Sequence, residues 1–175
     1  AGIIDAGRGV LAARELHTDR SLADQYHPLA MDPVLVKAHD KLDREVDRAA
    51  ALLDTEAPVV MLGDYNVIPE PRDAAHPERW VEDALFLPDA RAAYRRIVNQ
   101  GWTDAIRIRT PNAERGPFTF WDYQAGAWQR NNGIRIDHLL LSPQAADRLA
   151  GVRIAKHVRG WEKPSDHVPV LIELT

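Results

Sequence analysis

Pro58-Val59-Val60-Met61-Leu62-Gly63-Asp64-Tyr65-Asn66 decides how this chain is read. The apolar run after Pro58 is too short for a helix and suits a buried strand. Gly63, Asp64 and Asn66 end it in a polar loop. Upstream, Leu35, Ala38, Leu42, Val46, Ala49 and Leu53 recur at helical steps behind Asp32-Pro33, a cap and a first-turn proline. Downstream, Pro88 opens a second helix that runs to Gln100 and stops at Gly101. Helix, strand, loop and helix in succession predict an α/β layered domain.

The rest of the chain extends this order. Val10 to Leu16 suits a short helix, and residues 67–87 suit an irregular stretch tethered by Trp80, Leu85, Phe86 and Leu87. Trp102 to Arg109 alternates weakly, and Pro117 to Trp121 reads as an aromatic strand. Ile134 to Leu141 reads as a strong strand, with a short helix behind Ser142-Pro143. Val152 to Val158 and His167 to Thr175 read as the last strands.

Composition limits the chemistry. The 175 residues include no cysteine, which excludes a disulfide framework, a thiol nucleophile and a thiolate metal site. No apolar run approaches the roughly 20 residues that span a bilayer, so a soluble, cytoplasmic protein without a membrane partner is expected. The first residue is Ala1, which suggests processing or a fragment. The net charge of −4 excludes a wholly basic nucleic-acid coat. From Arg91 to Arg135, however, eight arginines face Asp104, Glu114 and Asp122, so that segment stands at +5 and the remainder at −9. Such a stripe suits a polyanion held at one face, and equally a solvated helix face.

Three segments put polar groups at strand ends, where α/β folds build sites. In the first, Asp64 suits a base or a metal ligand and Asn66 an oxyanion donor, although the same residues also make ordinary turns. In the second, Asp137 interrupts the apolar run Ile134, Ile136, Leu139, Leu140, Leu141. A carboxylate there needs a partner, either a histidine or an arginine such as Arg135. The third is Ser165-Asp166-His167 before Val168-Pro169-Val170. Together they allow a His–Asp pair beside an acidic metal site. Trp102, Trp128 and Trp161 are expected to pack, with Trp128, in the loop before Asn131, also placed to approach a polyanion, and His17, His27, His39, His76, His138 and His157 are assigned to no metal.

With these residues in place, the sequence resembles the exodeoxyribonuclease III and AP endonuclease family of the endonuclease/exonuclease/phosphatase superfamily. The matching stretches are Val60 to Pro69 (VMLGDYNVIP), Phe118 to Tyr123 (FTFWDY), Arg130 to Ser142 (RNNGIRIDHLLLS) and Lys163 to Val170 (KPSDHVPV). They fall in family order over residues 47–175. The resemblance implies the C-terminal half of a four-layer α/β sandwich, two packed β-sheets with outer helices. It also implies Mg²⁺- or Mn²⁺-dependent hydrolysis of double-stranded DNA at abasic sites and 3′ ends.

Carried over residue by residue, Asp64 matches the acid that orients or deprotonates water. Asn66 matches the amide that stabilises transition-state charge. His167 matches the phosphate-contacting histidine, and Asp137 the carboxylate that orients it. Asp166 lies near the metal, which Asp64 and Asn66 are also expected to hold. Asn131 matches a phosphate-contacting amide and Trp121 an aromatic lining the abasic pocket. Arg135, in the basic stripe, is expected on the DNA side.

The family's N-terminal motifs, an early Asn, a metal-binding Glu and a Tyr, have no counterpart here. Nothing in the spacing of Glu15, Asp24 or Asp32 makes one of them the replacement. Residues 1–46 instead resemble the C-terminal tail of restriction-modification DNA methyltransferases, in Leu22 to Leu29 and His39 to Asp47. They are expected to form a separate helical segment. The missing metal-binding Glu leaves the site incomplete and predicts impaired activity, and an incomplete sheet predicts self-association or a complementing N-terminal half. Two further functions compete: a non-catalytic DNA-binding fragment, and another phosphodiesterase or phosphatase of the superfamily.

Overall fold

A computed structural model describes residues 2–5, 10–13 and 44–175. Its centre is β3 (Val59–Asp64), paired antiparallel to β5 (Asp137–Leu141) on one side and to β1 (Gly2–Asp5) on the other. β2 (Val10–Ala13) extends the sheet beyond β1, and β4 (Thr103–Asp104) beyond β5, giving the order β2-β1-β3-β5-β4. Val10 to Ala13, read from sequence as helical, is thus a strand.

The register Val60↔Leu141, Met61↔Leu140, Leu62↔Leu139 explains why this run is apolar throughout, because both faces of β3 and β5 are covered. Val59, Met61 and Leu140 point one way, into a cluster with Ala49, Ala93, Tyr94, Ile97 and Trp102. That cluster is roofed by α1 (helical over residues 44–53) and α2 (Pro88–Asn99). Val60, Leu139 and Leu141 point the other way. There they meet Ala105 and Ile106 of α3 (Ala105–Arg109), Ala145 of α4 (Pro143–Ala146), and the inner side chains of β6 (Leu149–Ile154) and β7 (Val170–Leu174). β6 and β7 form a separate antiparallel pair. A helix layer, a five-stranded sheet and a two-stranded sheet make this an α/β fold, as read from the sequence. Leu140 and Leu141 are fully buried on opposite faces, each side chain contributing roughly 1.5–3 kcal/mol.

Local chemistry sets the element ends. Pro88 occupies the first turn of α2, Ala90, Ala93, Tyr94 and Ile97 form its buried stripe, and Gly101 at φ 118° releases the chain behind it. Asp104 caps α3 by accepting from the Arg107 N–H at 3.0 Å. Ser142, expected to cap α4, instead donates its hydroxyl to Ala57 O and accepts from Val59 N–H, both at 2.9 Å, tying the start of β3 to the end of β5.

Several strand boundaries differ from the sequence reading. Pro117 to Trp121 makes isolated bridges only, at Phe120 with Ile134 and His167. Phe118 and Trp121 pack in one cluster, and a spacing of three cannot share a face of a strand with period two. β5 starts at Asp137 because Ile134 and Ile136 turn into a different cluster, with Ile68, Ala74 and Phe86. Trp80 and Leu85 pack there, as the tethering role required. β6 ends at Ile154, and Lys156–Gly160 is a 3-10 turn. β7 starts only after Pro169, which has no N–H for a ladder. Among the described residues, no helix is long and apolar enough to cross a membrane. Of the first helix, residues 32–43 lie outside the described residues.

Candidate active site

The antiparallel register that packs Val60 against Leu141 also sets Asp64 directly opposite Asp137 at the open end of β3 and β5. Past that point the chain turns sharply. Asp64 Oδ1 accepts from the Asn66 N–H at 2.8 Å, and Asn66 sits at φ 51°, a conformation asparagine tolerates. Tyr65 N–H donates to Ile136 O at 3.0 Å, keeping the turn against the start of β5.

Thr119 bolts this end to the C-terminal segment. Its buried hydroxyl oxygen accepts from the N–H groups of Ile136 and Asp137, each at 3.2 Å, and its carbonyl accepts from Val168 N–H at 2.9 Å. His167 is thereby brought to Asp137, with Nδ1 at 2.9 Å from Oδ2 and 3.1 Å from Oδ1. Facing a carboxylate, Nδ1 carries the proton, so Nε2 is the nitrogen turned away from Asp137. Phe120 packs edge-on to the imidazole at 5.1 Å between centroids. The hydrogen bond to Asp137 raises the His167 pKa. Partial burial opposes it, and the charges of Asp137, Asp64 and Asp166 reinforce it.

These side chains suit a hard divalent cation. Asp64, Asp166 and Asn66 offer oxygen donors only. Among the described residues no group of three or more His, Cys, Asp or Glu is disposed as a metal cage. One or two carboxylates with water and substrate phosphate completing the shell is the usual arrangement for Mg²⁺, so the donor set fits it.

Asn131 is exposed at φ 55°, with its Oδ1 accepting from Trp121 Nε1 at 3.2 Å and from Lys156 Nζ at 2.7 Å. Its amide N–H groups are then the outward donors. Trp121 corrects the sequence reading. It is only 1% exposed, crossed by Trp128 at 5.3 Å and pressed onto Gly133, so its ring is covered and it supports Asn131 from below.

Arg135 is the second correction. It is 1% exposed and faces inward. Nε and Nη2 donate to the two oxygens of Asp73 at 2.7 and 3.0 Å, and Nη1 donates to Asp104 Oδ2 at 2.6 Å. Neither DNA nor Asp137 can be its partner. Arg107 pairs with Asp73 as well, so the basic stripe read from the sequence is partly an internal network.

That network contains residues the sequence reading missed: Asp73, Tyr94, Asp104, Arg107 and His138. Tyr94 donates its hydroxyl to Asp104 Oδ2 at 3.0 Å. His138 is fully buried, accepts at Nδ1 from Arg135 Nη1 at 3.1 Å and donates from Nε2 to Val67 O at 3.0 Å. The turn carrying Asn66 is thus held by a buried imidazole. Burial and the Arg135 charge push the His138 pKa down to about 4, while Asp104 and Asp73 oppose. Burial resists ionisation of Asp104, but the Arg135 charge and hydrogen bond, His138 and the Arg107 N–H together outweigh it and hold the carboxyl at about 2. Strand alternation was the available signal for His138, since it shares a face with Leu140. Asp73 and Asp104 lie far apart in sequence, and no local pattern marks them.

The family model for the endonuclease/exonuclease/phosphatase family matches residues 10–167. Exodeoxyribonuclease III of Haemophilus influenzae is 36% identical over 126 residues, which is 69% of this chain and 47% of that protein. Among solved structures, an AP endonuclease from Archaeoglobus fulgidus superposes with TM-score 0.75 at 33% identity, covering 82% of this chain and 55% of its own. A 3′ phosphatase from Neisseria, solved bound to a product DNA hairpin, gives 0.77 at 30% identity with the same coverages. The chain spans about half the length of the relatives it matches.

Proposed function

The chain belongs to the endonuclease/exonuclease/phosphatase family, and from that premise we propose that it hydrolyses DNA phosphodiesters at abasic sites and 3′ ends. The observation that carries this is the convergence of Asp64, Asp137 and His167 at one strand end, with Nε2 of His167 turned away from its carboxylate.

Each side chain has a task suited to its placement. Asp64 aligns the attacking water and accepts its proton. His167, oriented through Nδ1 by Asp137, presents Nε2 to a phosphate oxygen, and its raised pKa favours the protonated donor. Asn66 and the amide N–H groups of Asn131 donate to the remaining oxygens. Asp64, Asn66 and Asp166 would hold Mg²⁺ or Mn²⁺, which offsets phosphate charge when bound. The relatives' activities, an exodeoxyribonuclease, an AP endonuclease and a 3′ phosphatase, support this substrate class.

The test is cleavage of a duplex containing one abasic site, followed on a denaturing gel with Mg²⁺ and with EDTA. Cleavage 5′ to the site that needs Mg²⁺ and disappears in Asp64→Ala is expected. Salt-sensitive duplex binding without cleavage would leave a DNA-binding module instead. Faster turnover of a small phosphate ester than of DNA would favour another branch of the family.

A further inference from the structure

Among the described residues, the large apolar side chains left exposed include two aromatics, Tyr123 and Trp161, each 62% accessible. Single exposed apolar residues are ordinary. These two are not scattered, because both stand on the segments that frame Asp166 and His167. Trp121 N–H donates to Asp166 O at 2.9 Å, and two residues later Tyr123 donates its hydroxyl to Pro164 O at 3.0 Å. Arg159, only 7% exposed, donates to Trp121 O at 3.0 and 3.2 Å and to Asp122 O at 3.3 Å, locking the 159–166 segment onto the 121–123 segment.

The rings therefore ride on a rigid base. The Arg159 guanidinium covers one side of Tyr123 at 4.9 Å from the ring centroid. Trp161 is braced edge-on by His157 at 5.9 Å, and its N–H closes the 3-10 turn onto Val158 O at 3.1 Å. Burial and packing explain Trp121 and Trp102. They do not explain a pinned indole left mostly in water, which costs solvation free energy unless a ligand covers it.

We propose that Trp161 and Tyr123 form a stacking platform for unpaired nucleobases of the DNA strand entering the phosphate site. The proposal rests on the nuclease reading of that site and names what the site selects. The five residue-to-residue steps from Trp161 to Asp166 reach at most about 18 Å, roughly five base steps at about 3.4 Å each. A strand with its phosphate at His167 that follows this segment meets Trp161 within that span, and the Tyr123 hydroxyl on Pro164 O keeps the second ring beside the same segment. Base–aromatic stacking accepts any base, and the neighbouring exposed Lys156 and Lys163 suit a polyanion. A platform of this kind favours frayed or overhanging 3′ ends over fully paired duplex, because only unpaired bases can leave the stack at little cost.

The experiment measures binding of the full chain without metal, so it does not depend on hydrolysis. One probe is a fluorescein-labelled hairpin with a three-nucleotide 3′ overhang. The second is the same hairpin with the overhang built of base-free tetrahydrofuran units. Trp161→Ala is expected to weaken binding of the first probe about tenfold, and Trp161→Phe less than threefold. The base-free probe should bind the unmodified chain about as weakly as the first probe binds Trp161→Ala. Binding by Trp161→Ala within twofold of the unmodified chain overturns the platform. So does equal affinity for the two probes, or no binding of either. Retained, Trp161-dependent binding without Mg²⁺-dependent cleavage would instead count against the nuclease reading alone.

Discussion

His167 Nδ1 lies 2.9 Å from Asp137 Oδ2, and Asp137 stands opposite Asp64 in the β3–β5 register. One ladder pair therefore fixes two carboxylates and, through one of them, the imidazole. The sheet register itself aligns the reacting groups. A slip of one residue would turn every side chain of the strand to the opposite face.

Asp137→Asn tests this relationship with almost no change in volume. The amide can offer Nδ1 a hydrogen bond but no charge, so the tautomer preference and the support for a protonated ring both weaken. Cleavage of abasic duplex should fall by about 10²-fold or more, with the unfolding midpoint in urea nearly unchanged. Nitrogen NMR of the imidazole should show the proton no longer confined to Nδ1. Activity within threefold of the unmodified chain would remove Asp137 from the catalytic machinery.

Arg135 separates the sequence reading from the structural one. A DNA-contacting arginine, once replaced, lowers affinity and leaves stability alone. A buried arginine bridging Asp73 and Asp104 does the reverse, because its loss strands two carboxylates away from water. Arg135→Met should cost about 3–5 kcal/mol in urea unfolding. Arg135→Lys should recover only part of this, since an ammonium cannot make the bidentate contact with Asp73. DNA affinity of whatever fraction remains folded should stay within a fewfold.

Much of the site was legible because it follows strand-end logic. Asp64, Asp137 and His167 each interrupt or border an apolar run, and a charge at such a place needs either a partner or a task. Asp73 and Asp104 left no such mark. Asp73 sits in a polar, proline-rich stretch and Asp104 in a weakly alternating one, where an acid is unremarkable, and what covers them is tertiary: Arg135 for both and Arg107 for Asp73. Trp121 and Arg135 were misplaced for a related reason. Residue type identifies what a side chain can recognise, but only the packing of Gly133 and Asp73 reveals that these two face inward. The fold class rested on periodicity and survived. The aromatic strand did not, because the three-residue spacing of Phe118 and Trp121 follows Gly133 and not a sheet.

His138 predicts an acid-sensitive fold. Its pKa is near 4 when buried and near the ordinary 6.5 when the chain unfolds. Between these values the unfolded state binds the proton and the folded state does not, so stability declines as pH falls from about 6.5 to about 4 and then levels for this group. The full effect is on the order of 3 kcal/mol. Urea unfolding at pH 7 and pH 4.5 should show the loss. His138→Gln keeps a side-chain donor for Val67 O but has no proton to gain, so its stability should depend less on pH over that interval. An equal slope in the variant would assign the acid sensitivity elsewhere.

Gly133 predicts a coupling between packing and the Asn131 donor. A methyl group at its Cβ position would lie 2.7 Å from Trp121 Nε1 and 2.8 Å from Phe118 Cβ, closer than real contacts allow. The clash cannot be relieved by a flexible side-chain end. One neighbour is the Cβ next to the Phe118 backbone, and the other is a buried indole whose N–H is committed to Asn131. The backbone has little room either, since Gly133 O accepts from Ala75 N–H at 2.9 Å. Gly133→Ala should therefore cost about 1–3 kcal/mol of stability. It should also shift Trp121 and release Asn131 Oδ1. Tryptophan emission moving to longer wavelength, with DNA binding weakened in parallel at temperatures where the variant is folded, is the expected outcome. A variant as stable as the unmodified chain, with unchanged emission, would mean that this contact relaxes freely and that Trp121 does not hold Asn131 in place.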